Sequence, residues 1–112
     1  MDDKLATLEE RAERFNTVLS RRWRHASATV HVTSTGLQVE LFRTNEPARL
    51  KIGMAGPEWL RGKPRLQDVD LRVAVRTDWP LVSQVERVQP MFEIRDCGSD
   101  FFAVGPSLDF KE

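Results

Sequence analysis

The sequence predicts an α+β domain: a long N-terminal amphipathic helix packed on one face of an antiparallel sheet of about five or six strands, with a second short helix near residues 79–89. Three observations lead to this class. Apolar residues recur at steps of three and four up to about residue 24, they recur at every second position afterwards, and clusters of turn residues separate the alternating runs.

From Asp3 to about Arg24 the apolar positions are Leu5, Leu8, Ala12, Phe15, Leu19 and Trp23, one stripe of a helix. Glu9, Glu10, Glu13 and Arg14 are left for water. Asp2 or Asp3 suits the amino end, and Arg21, Arg22 and Arg24 suit the carboxyl end, because both placements complement the helix dipole. The period then changes to two. Ala28, Val30 and Val32 alternate with polar residues, Ser34-Thr35-Gly36 turns the chain, and Leu37, Val39 and Leu41 alternate in their turn. Asn45-Glu46-Pro47 makes the next turn and Leu50, Ile52 and Met54 continue the pattern, so three strands form a meander with one packed and one wet side.

Gly56 to Pro64 holds two prolines and two glycines around Trp59 and Leu60, which reads as a loop with a short helical turn. Val69, Leu71, Val73 and Val75 alternate as the clearest strand. Asp78-Trp79-Pro80 has the form of a helix start, with Leu81, Val82, Val85 and Val88 at helical steps before Pro90. An irregular strand competes there, since valine is a mediocre helix former. Met91–Asp96 and Asp100–Val104 flank Asp96-Cys97-Gly98-Ser99 as a closing hairpin, and residues 106–112 are expected to be a loosely held tail. Residues 1–112 read as a single domain, without repeats or a linker.

Composition narrows the function classes. Hydrophobic content of 40% and charged content of 30% are a globular balance, and the 17 basic residues cancel the 17 acidic ones. A neutral chain has no global field to draw it to nucleic acid, so such an activity needs a local patch. One cysteine, Cys97, forbids an intrachain disulfide. Met1-Asp2-Asp3-Lys4 leads into a charged helix rather than an apolar signal core, and no apolar run approaches bilayer length, so a cytoplasmic location without membrane contact is expected.

Signs of catalysis are few. His25 and His31 are the two histidines, and a nucleophile–base pair of Cys97 and His31 rests on nothing that places them together. A turn cysteine and a strand-surface histidine are the simpler account, so no enzyme activity is expected. The spacing of His25, His31 and Cys97 fits no zinc pattern, Asp96 and Asp100 fall short of a calcium loop, and the six glycines form no phosphate-binding or dinucleotide motif. No metal or cofactor is expected.

Binding remains. The expectation is a small adaptor whose partner is another protein, contacting it through Phe42, Trp59, Arg61, Arg72, Arg76 and Trp79. The alternative is nucleic-acid or phosphate-ligand binding through two basic–aromatic clusters, at 21–25 and 59–65, with Arg21, Arg22, Arg24, Arg61, Lys63 and Arg65 holding phosphates. Trp23 on the apolar stripe, and Glu40, Glu58 and Asp70 among the basic residues, argue against it. A small enzyme using Cys97 and His31 ranks third. No motif ties the chain to a family, and element order alone is an analogy.

Overall fold

A computed structural model describes residues 3–57, 59–77 and 90–111. Helix α1 occupies Asp3–Arg22, as the periodicity predicts. Ala12 and Leu19 form its buried stripe, Leu8, Phe15 and Val18 are partly covered, and Trp23 extends the stripe past the last turn. Burial of these apolar faces against the sheets, rather than intrinsic propensity, is what holds such a helix in place.

The meander is present with the expected faces. Strands β1 (Ser27–Val32), β2 (Gly36–Phe42) and β3 (Arg49–Ala55) pair antiparallel in sequence order. Leu37, Val39, Leu41, Leu50, Ile52 and Met54 point into the core. The turn between β1 and β2 is closed by the Thr33 hydroxyl, which accepts from the backbone N–H groups of Thr35 and Gly36.

Instead of one sheet of five or six strands, the described residues form nine strands in two antiparallel sheets around one core. The segment expected to be a loop with a helical turn supplies two of them, β4 (Trp59–Arg61) and β5 (Arg65–Leu66). Gly62 lies between them with φ +123°, and a Cβ there would come within 2.7 Å of Phe101 Cα. Glycine lets the chain turn sharply against Phe101, so that β5 joins β1 while β4 stays in the other sheet. The C-terminal stretch, expected to be loose, forms β9 (Asp109–Lys111) on the free side of β3, and Leu108 is buried just before it. The larger sheet therefore runs β5-β1-β2-β3-β9.

The smaller sheet adds β6 (Leu71–Arg76), β7 (Met91–Asp96) and β8 (Phe102–Gly105), in the order β4-β8-β7-β6. The β7–β8 hairpin was expected, and its turn is ordinary Asp chemistry. The buried Asp96 carboxylate accepts from Asp70 N, Gly98 N and the Ser99 hydroxyl, which also ties the hairpin to the start of β6.

Helix α1 packs on the smaller sheet along the β6 edge. Asn16 donates to Val73 O at 2.8 Å and accepts from Val73 N at 2.7 Å, so its carboxamide takes the place of a further strand. At Val73 the edge strand therefore no longer offers its peptide groups to other chains. The helix also reaches β9, where the Phe15 ring stacks on Phe110 with centroids 4.2 Å apart and Arg11 donates to Leu108 O. It thus spans the seam between the sheets and leaves both outer faces uncovered by the described helix. The second short helix, expected near residues 79–89, lies outside the described residues.

Candidate functional site

Strand register, more than sequence proximity, assembles the candidate site. Arg61 on β4 faces Phe102 on β8, Phe102 faces Arg95 on β7, and Arg95 faces Arg72 on β6. These four side chains share the outer face, because their neighbours Leu60, Ala103, Ile94, Leu71 and Val73 pack inward. With strands about 4.8 Å apart, the row is roughly 14 Å long. The next row runs from Trp59, half exposed at 49%, to the exposed Ala74, while Val104 and Glu93 between them are buried. A depression of about 270 Å³ opens between Arg61, Arg95 and Phe102.

The charges on this face differ in how far they are committed. Arg76 is bound to the buried Glu93 carboxylate, so it serves first to neutralise a buried charge. Arg72 lies 3.4 Å from Asp70, which also draws Arg24 at 3.9 Å, and Arg61 lies 3.9 Å from Asp100. Arg95 has no ion pair among the described residues and stands directly opposite Arg72. Like charges in that position destabilise a sheet slightly, so an anionic group placed over them is favoured.

Four of the six protein-contact candidates therefore come together: Trp59, Arg61, Arg72 and Arg76 share this face. Phe42 does not. It lies on the outer face of the larger sheet, with the Arg49 guanidinium 5.0 Å from its ring centre, and that face points away from the first across the common core. Trp79 lies outside the described residues. Arg95 and Phe102 were missed by the sequence reading, although the closing hairpin carried a signal for them: of the adjacent Phe101 and Phe102, one must face out.

The nucleic-acid candidates are divided. Arg24 joins the row through Asp70, and Arg61 belongs to it. Arg65 sits in the larger sheet opposite Thr29, with Lys63 in the connection before it, and Arg21 and Arg22 are in the last turn of α1. Trp23 is buried in the core and unavailable for stacking. The helix end is bound instead by Arg43, which donates to Arg22 O and Arg24 O at 2.8 Å each.

Cys97 and His31 stand apart. Cys97 N donates to Asp70 O, and the adjacent Val69 N donates to Ala26 O just before β1. His31 lies five residues beyond Ala26 (31 − 26), roughly 16 Å along an extended chain. Both side chains are exposed. Among the described residues no three His, Cys, Asp or Glu side chains group as metal ligands, and no helix is long and apolar enough to cross a membrane.

Comparison with known proteins returned no matching family model, no similar curated protein and no solved structure of matching fold.

Proposed function

We propose that this chain is a small non-catalytic adaptor of the cytoplasm that docks an acidic, partly apolar surface of another protein on the outer face of its four-stranded sheet. The observation that carries the reading is the row Arg61–Phe102–Arg95–Arg72 with Trp59 beside it. Aromatic rings interleaved with arginines are the composition of interface hot spots. The exposed single cysteine suits a reducing compartment.

A protein partner fits this face better than a nucleic acid. Asp70, Asp100 and Glu93 interrupt the positive charge and would repel a phosphate backbone running along the row. A protein surface can instead place single carboxylates over Arg95 and Arg72 and apolar groups over Phe102 and Trp59.

Site-specific photocrosslinking in cells tests the proposal. A photoreactive phenylalanine analogue replacing Trp59 is expected to give a discrete, protease-sensitive adduct, and the same analogue replacing Phe42 is expected to give none. A nuclease-sensitive adduct at position 59, or no adduct there, counts against a protein partner.

A further inference from the structure

We infer that the outer face of the five-stranded sheet carries a second site, independent of the adaptor face, for a small hydroxyl-bearing phosphate ester. A groove of about 530 Å³ runs along β3 there, within the range of small-molecule sites. Its floor is open because Gly53, in the middle of β3, has no side chain between Gln38 on β2 and Asp109 on β9. A Cβ at Gly53 would lie 2.9 Å from Asp109 Oδ1, so any larger residue would meet that carboxylate.

The groove has two chemically different ends. At one, Lys51 and Lys111 stand directly opposite each other on β3 and β9, Glu40 faces Lys51 from β2, and neither lysine has a salt bridge among the described residues. Glu40 offsets only one side of this pair, and a dianion held between the two ammonium groups lowers the remaining repulsion. Arg49 lines the same end, although Glu40 at 3.8 Å and the Phe42 ring already engage it. Towards the other end lie the Asp109 carboxylate, the Gln38 amide and the Thr33 and Thr35 hydroxyls. Asp109 would repel a bare anion at its own position, but as an acceptor it suits ligand hydroxyls. A phosphate at the lysine end with a hydroxylated body over Gly53 satisfies both ends at once, and a phosphate ion alone fills little of the volume.

Titration of the isotope-labelled chain with glucose 6-phosphate, inorganic phosphate and glucose, followed by backbone amide resonances, tests this. Glucose 6-phosphate should give saturable shifts centred on Lys51, Gly53 and Lys111, at least tenfold tighter than inorganic phosphate, with glucose silent. Lys51→Gln and Lys111→Gln should each weaken binding at least tenfold, and thermal melts of the unliganded variants should show no loss of stability. Absence of saturable shifts overturns the inference. So does equal affinity for inorganic phosphate, or binding that survives both lysine variants, either of which marks an adventitious anion only.

Discussion

The Asn16 side chain is hydrogen-bonded to both backbone groups of Val73, so a helix residue completes the hydrogen bonding of an edge strand. This contact ties α1 to the smaller sheet and satisfies the β6 edge at Val73, alongside the burial of the helix's apolar stripe. Asn16→Ala leaves two backbone groups without their partners and is expected to cost about 2 kcal/mol. Asn16→Asp should cost at least as much, because its carboxylate sets an oxygen against Val73 O. Urea denaturation of both variants measures the loss. Equal stability to wild type would mean that the edge is closed by other means.

Trp23 is 3% exposed, and its indole Nε1 is buried without a hydrogen-bond partner among the described residues. Trp23→Phe keeps most of the packing and removes the unsatisfied donor, so it should change stability by less than about 1 kcal/mol. Trp23→Ala should cost about 3–5 kcal/mol through the cavity it leaves. Thermal and chemical denaturation of the pair separates the packing of the ring from the burden of its N–H.

Gly62 and Gly56 both have positive φ, yet their surroundings differ. A Cβ at Gly62 meets Phe101 at 2.7 Å, whereas one at Gly56 meets nothing within 4 Å. Gly56→Ala should therefore cost about 1 kcal/mol, the backbone preference alone. Gly62→Ala adds a clash with a buried phenylalanine and should cost about 3 kcal/mol. Denaturant midpoints of the two variants report the difference, and similar values would contradict the close approach at Phe101.

Much of this fold was legible because side-chain periodicity is local. The stripe from Leu8 to Trp23 marks α1, and alternation from Ala28 to Met54 marks the meander and its inner face. Strand β6 and the β7–β8 hairpin were legible too, but the division into two sheets was hidden, because sheet membership depends on contacts between distant segments. Trp59-Leu60-Arg61 is too short to show alternation, and the glycines and prolines around it resemble a loop. Asp109-Phe110-Lys111 resembles a frayed end until Phe110 meets Phe15 and β9 meets β3. The candidate site was legible in part for the same reason. Trp59, Arg61, Arg72 and Arg76 were singled out by residue type, but their shared face arises from β4–β8 and β6–β7 register. That register also adds Arg95 and Phe102 and leaves Phe42 on the opposite side.

On the proposed function, the partner is held by the outer face of the four-stranded sheet rather than by charge in general. Comparing Arg95→Glu with Lys51→Glu tests it most directly, because the two variants make the same charge change on opposite exposed faces. With the partner captured by crosslinking at position 59, affinities are measured for wild type and both variants. Arg95→Glu is expected to weaken binding at least tenfold, about 1.4 kcal/mol, and Lys51→Glu less than twofold. Equal losses in the two variants, or none at Arg95, would place the partner elsewhere.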